Sequence, residues 1–321
     1  MLIDHDTSLL HQLAKQSKNR TANLMEVLRQ YSRNLDDIKD ILKADDKYGQ
    51  SILHRLAFHK ESHQTLLEIL NEFFPENDLK QKEEILMHRN GKGDTILNVL
   101  SKEAKTEKSL KNLKQLILLY TETGLKPKLE AQKNPLKETI TTGNTKAAKV
   151  LIDNDYSLFF DEKDGLNALH SCIRYGNSDL VTYILEKEEI KGVNSNLQLL
   201  RKLDRKKNTL LNFAVNLNWP PVGRSDQEND QGPNNTKHHK STRMEILRSL
   251  MIDCWSDVDT QNETDDNCLH IAILNDFPEG AKLIIDYLRK LSIKEKAKGK
   301  RDRVKGDDLL NLMEKEKMTQ C

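Results

Sequence analysis

Apolar residues recur along this chain as paired short stripes. From Asn167 to Glu186 they fall first at Leu169, Cys172 and Ile173, then at Leu180, Val181, Ile184 and Leu185. Three-and-four spacing gathers each set on one helical face. Asn167 stands where an N-cap belongs, so its side-chain oxygen can accept from the free amides of a first turn. Asp164-Gly165 supplies a tight turn before it. Gly176-Asn177 ends the first helix, glycine taking the left-handed conformation usual there. The pattern predicts two short antiparallel helices fed by a turn. Such a unit cannot bury both stripes alone and needs a copy on each side.

The chain supplies the copies. The frame D-x-x-G-x-[TN]-x-L-H is matched closely by Asp46 to His54 and by Asn90 to Leu97, and more loosely at Ser8 to His11, Asn134 to Leu136, Thr209 to Asn212 and Asn267 to His270. A partial copy runs from Gly306 to Leu310. Anchor leucines Leu136 and Leu169 are 33 residues apart, whereas Leu10 and Leu53 are 43 apart. The excess before Leu53 is Asn34 to Lys43, where Leu35, Ile38, Ile41 and Leu42 predict an additional helical turn, and a second insert carries Ile85 and Leu86. This frame and period resemble the ankyrin repeat.

The resemblance implies an all-α fold, an ankyrin-type helical solenoid with β-turn or hairpin tips. Seven degenerate repeats are expected over residues 1–288, with a disordered insert at 216–242 inside the sixth. A basic linker follows at 289–305, then a partial or capping repeat at 306–321. The insert reading rests on its density of Asn, Gly, Pro and Asp. The eighth copy offers one helix and no second, and repeat 1 starts almost at Met1. On those grounds the chain is expected to be a fragment of a longer array, with no signal peptide at its start.

Composition then narrows the chemistry. Lysine and arginine (51) nearly balance aspartate and glutamate (50), so overall charge argues for no nucleic-acid partner. Arg289 to Lys305 is the one strong charge run, with nine basic residues against two acidic. It offers an anionic surface or acidic partner a docking strip, or the nucleus an import signal. The four cysteines form no C-x-x-C pair and fit a reducing compartment, cytoplasmic with the nucleus as an alternative. No apolar run is long enough to span a bilayer.

No catalytic set, cofactor fingerprint or metal site is expected. His11, His54, His170 and His270 all occupy the L-H position, where the resemblance implies that the imidazole braces the turn. Gly91 to Thr95 lacks the spacing of a phosphate loop. His238-His239 has no third ligand at zinc spacing.

The resemblance implies binding of a protein partner through a concave face of turn tips and first helices. Tip candidates are Lys47, Tyr48, Gln50, Lys92, Asp94, Lys163, Asp164, Leu166, Arg205, Lys206 and Asn208. First-helix candidates are Phe58, His59, Arg174 and Tyr175. Tyr48, Phe58, Lys163, Leu166, Arg174 and Tyr175 are the residues assigned to partner binding, aromatic and arginine side chains being the frequent hot spots. The expected function is a non-enzymatic interaction scaffold. Two alternatives are the cytosolic ankyrin region of a larger protein, such as a transient-receptor-potential-like ion channel, and an adaptor for anionic lipid or acidic partners through Arg289 to Lys305.

Overall fold

The computed structural model describes residues 10–14, 18–31, 35–74, 79–160, 166–191, 199–216, 233–253 and 257–297. The chain divides into two compact units, Met1–Phe160 and Asp161–Cys321. Each is built almost wholly of helices.

In the first unit the order is α1 (10–14), α2 (Lys18–Tyr31), α3 (Leu35–Lys43), α4 (Ile52–Phe58), α5 (His63–Phe73), α6 (Leu79–Leu86), α7 (Ile96–Glu103), α8 (Glu107–Glu122), α9 (Lys126–Lys133), α10 (Pro135–Thr141) and α11 (Thr145–Asp153). Short first helices α4, α7 and α10 pack side by side, and longer second helices α5, α8 and α11 form the layer behind them. Each first helix opens on a side-chain cap: Ser51 accepts from the His54 amide, Thr95 from Asn98 and Asn134 from Leu136. Leu53, Leu56, Leu97, Leu100 and Leu136 are buried between the layers. Each such leucine contributes about 2 kcal/mol by leaving water.

In the second unit α12 (Ala168–Arg174), α15 (Leu210–Asn216) and α17 (Cys268–Leu274) are the first helices. Behind them lie α13 (Ser178–Lys191), α16 (Pro233–Asp253) and α18 (Pro278–Ala297), with helical residues 199–201 (α14) before the tip of α15. Asn167 and Asn267 cap α12 and α17. Arg243 of α16 closes the end of α15, donating to the Val215 carbonyl at 2.6 Å while lying 3.8 Å over the Phe277 ring. Burial lowers its guanidinium to about 10.

Three features depart from the sequence expectation. Helix α16 begins at Pro233, so residues 233–242 of the proposed insert are helical, and proline at a helix start costs no hydrogen bond. Residues 217–232 lie outside those described. Helix α18 continues through Ala297, carrying the first nine residues of the basic run as helix rather than linker. The rest of that run, and the partial repeat at 306–321, lie outside the described residues. Finally, α9 leads directly into Asn134-Pro135, so the fourth repeat has a helix where a tip was expected.

Candidate protein-binding surface

Four tips share one geometry. An Asp or Asn oxygen accepts from the backbone amides two and four residues on. Asp46 accepts from Tyr48 and Gln50 at 2.8 and 3.1 Å. Asn90 accepts from Lys92 and Asp94, both at 2.9 Å. Asp204 accepts from Lys206 and Asn208 at 2.9 and 2.8 Å, and Asn262 from Thr264 and Asp266 at 2.9 and 3.0 Å. The fourth residue of each tip is left-handed: Gly49, Gly93, Lys207 and Asp265, with φ between 57° and 74°. Neighbouring tips also touch. Gly91 donates to the Gly49 carbonyl at 2.6 Å, and Glu263 to the Lys206 carbonyl at 3.0 Å. A Cβ on Gly49 would lie 2.8 Å from Gly91 Cα, so that position needs glycine twice over, for its φ and for its neighbour.

At four places the L-H position ties a repeat to the stretch that follows it. His54 is fully buried, its Nδ1 on Ser51 Oγ at 2.7 Å and its Nε2 on the Asp94 carbonyl at 2.9 Å. His11 reaches the Ala44 carbonyl at 3.1 Å. Where the sequence has asparagine instead, the bridge persists: Asn98 Nδ2 donates to the Lys133 carbonyl and Asn212 Nδ2 to the Thr260 carbonyl, each at 3.1 Å. His170 bonds its own cap, Asn167, at 2.8 Å and packs edge-on to Phe213. Burial lowers the imidazoles of His54, His63 and His170 to about 4, which keeps them neutral near pH 7. These groups are held by structure and are not exposed bases.

A further ion cluster fixes the second tip. Asp94 lies between Lys102 (3.0 Å) and Lys133 (2.5 Å), and Lys102 also meets Glu138 at 2.7 Å. Burial raises the Asp94 carboxyl, but hydrogen bonds from Lys133 and Lys102 outweigh it and leave the group below its usual range. Among the described residues no group of three or more His, Cys, Asp or Glu side chains could hold a metal, and no helix is long and apolar enough to cross a membrane.

What the framework leaves outward is narrower. Tyr48 is 62% exposed and Phe58 51% exposed. Lys47 and Arg55 stand 5.0 and 5.4 Å from the Tyr48 ring centroid, and His59 packs at right angles to Phe58. Arg55 is held by Asp46, its Nε donating at 2.8 Å. In the second unit Arg174 is half-buried, 5.7 Å over the Phe213 ring, and Tyr175 is half-buried at the end of α12.

Leu166 corrects the sequence assignment. It is 3% exposed, and its position three residues before the anchor leucine is also that of Asp94 (3%) and Asn208 (1%). At these three tips that position turns into the fold, so Leu166 packs and offers no tip surface. Lys163 and Asp164 lie outside the described residues. Sequence reasoning passed over Arg55, whose spacing of two after Leu53 and pairing with Asp46 place it against the Tyr48 ring.

Residues 100–198 match the family model described as ankyrin repeats (3 copies). The chain contains ankyrin repeats. No curated protein sequence matches it. Among solved structures, the ankyrin repeat domain of Bcl-3, a member of the IkappaB protein family, aligns with a TM-score of 0.55 and 13% identity, covering 87% of this chain and 97% of that one. The ankyrin repeat domain of human ASB11 aligns with a TM-score of 0.52 and 16% identity, covering 86% and 96%. At these identities the likeness is one of fold. Ankyrin repeats are in general protein–protein interaction modules, and their helical solenoid fold is the one described above.

Proposed function

We propose that this ankyrin repeat protein is a non-enzymatic scaffold or adaptor that binds a protein partner through its tips and first helices. The observation carrying this reading is the exposure of Tyr48 and Phe58 at a tip and at the end of the first helix beside it. Two large ring faces, 62% and 51% exposed and flanked by Lys47, Arg55 and His59, are costly to leave in water. Aromatic side chains braced by a cation are the kind that dominate binding energy once covered. In the second unit Arg174 and Tyr175 occupy the corresponding end of α12 and extend the same role there.

The reading places the protein in the cytoplasm, with access to the nucleus, and the buried free thiols Cys172 and Cys268 support a reducing compartment. Its test is quantitative enrichment of partners from a cell extract with the intact chain and with Tyr48, Phe58, Arg174 and Tyr175 changed to alanine. Loss of the enriched partner at unchanged thermal stability supports the surface; unchanged recovery rejects it.

A further inference from the structure

Cations crowd one tip of the second unit. Residues 201–207, from the end of α14 into the tip of α15, hold Arg201, Lys202, Arg205, Lys206 and Lys207 against a single carboxylate, Asp204. That carboxylate is already engaged. Its Oδ1 accepts from the Lys206 and Asn208 amides at 2.9 and 2.8 Å, and its Oδ2 from Asn208 Nδ2 at 3.0 Å. Arg201, Lys206 and Lys207 are exposed and form no ion pair among the described residues. At the tip of α7, Asp94 neutralises Lys102 and Lys133; here its place is held by neutral Asn208. Lys207 stands at φ 57°, a left-handed conformation that residues with a Cβ disfavour and that Gly49 and Gly93 take in the first unit. Both departures from the frame leave this tip more positive. Leu203, 41% exposed, stands among the cations.

The next tip has the opposite sign. Residues 257–266 hold Asp257, Asp259, Glu263, Asp265 and Asp266 and no cation. Glu263 and Asp265 are exposed, and the Glu263 amide donates to the Lys206 carbonyl at 3.0 Å, so opposite charges sit side by side. A uniformly anionic plane such as a bilayer surface would meet both tips, attracted by one and repelled by the other. A narrow strand of charge can follow one tip alone.

We infer that the tip of α15 binds an acidic segment of a protein partner, with carboxylates over Lys206 and Lys207 and an apolar side chain on Leu203. The ligand class, a protein segment, rests on the scaffold reading above; the tip is a second epitope, separate from Tyr48 and Phe58. The acidic tip beside it limits that segment, whose carboxylates must give way to basic or neutral residues over Glu263 and Asp265. Charge complementarity of this kind fixes register and excludes wrong partners.

The experiment is fluorescence anisotropy on the full chain with two short synthetic peptides of equal length. The block probe is glutamate around one leucine in one half and lysine with serine in the other; the acidic probe is glutamate around one leucine throughout. The block probe should bind more tightly than the acidic probe, and its affinity should fall as salt is raised. Lys206→Glu/Lys207→Glu should lower its affinity by about tenfold or more at an unchanged Tm. Glu263→Lys/Asp265→Lys should weaken the block probe and tighten the acidic one. Tyr48→Ala/Phe58→Ala should leave both unchanged, so failure here and failure of the scaffold surface are read separately. Absence of saturable binding at low salt overturns the inference, as does equal binding by Lys206→Glu/Lys207→Glu. Tighter binding to phosphatidylserine vesicles than to the block probe, lost in the same variant, also overturns it and makes a membrane the occupant.

Discussion

The two units build the same tip from different residues. In the first, the left-handed position is glycine, at Gly49 and Gly93, and the position after it at the second tip is an ionised Asp94 clamped by two lysines. In the second, the left-handed positions are Lys207 and Asp265, and the place of Asp94 is taken by neutral Asn208, which donates to Asp204 and accepts from Asn262, both at 3.0 Å. The first unit also carries helices α3, α6 and α9 beside its tips, linked across repeats by Lys39–Glu84 at 3.2 Å and Lys128–Glu83 at 2.5 Å. The shared element is the Asp or Asn oxygen that gathers two amides. Backbone geometry is shared between the units, while the lysine-clamped carboxylate of Asp94 belongs to the first.

That difference can be broken most sharply at its centre. Asp94→Ala removes a 5% exposed carboxylate and strips Lys133 of its closest partner, so it should destabilise the first unit by about 3–5 kcal/mol. Asn208→Ala, at the same position of the second unit, breaks hydrogen bonds with the Asp204 carboxylate and the Asn262 amide but leaves no lysine without its partner, and should cost about 1–2 kcal/mol. Chemical denaturation of both variants measures the contrast. Next is Gly49→Ala, which meets both a left-handed backbone and the Gly91 Cα; a loss of about 2–3 kcal/mol is expected in the same assay.

Acid should also separate the units. Among the described residues, His54 and His63 in the first, but only His170 in the second, have folded values lowered to about 4 by burial. Below the ordinary histidine value the unfolded chain takes up protons that these folded rings refuse. Their contribution is complete above about pH 6.5 and is lost as pH falls towards 4, by about 1–2 kcal/mol per ring at pH 5. Hydrogen exchange at pH 7 and pH 5, corrected for intrinsic rates, should show the first unit losing more protection. The smallest effect is a gain. Lys207→Gly relieves a side chain at φ 57° and should stabilise the second unit by up to about 1 kcal/mol, visible as a raised Tm.

Much of this framework was legible in the sequence because caps, glycines and anchor leucines are local signals. Ser51, Thr95, Asn134, Asn167 and Asn267 all cap where the frame placed them. What escaped was set by weaker or longer-range terms. Helix α9, KPKLEAQK, buries only Leu129, so its apolar periodicity is too thin to mark a helix. Helix α16 starts among Asn, Thr, His and Lys residues whose composition reads as loop, yet they form one continuous helix with the apolar stripe at Met244 to Leu250. The surface was legible in part. Tyr48 and Phe58 are exposed, while Leu166 is buried because its apolar side chain packs inward from a tip position. The same position holds a buried Asp94 and a buried Asn208, each with polar partners inside the fold, which polarity alone disguises.

The division between a structural framework and an exposed binding surface is tested most directly by one paired measurement on Tyr48→Ala/Phe58→Ala. Both side chains are more than half exposed, so the Tm of the full chain should stay within about a degree or two of wild type, as for ordinary surface substitutions. Partner enrichment from extract should fall at least about tenfold, as expected when two hot-spot rings are lost. Undiminished enrichment at an unchanged Tm would contradict the account.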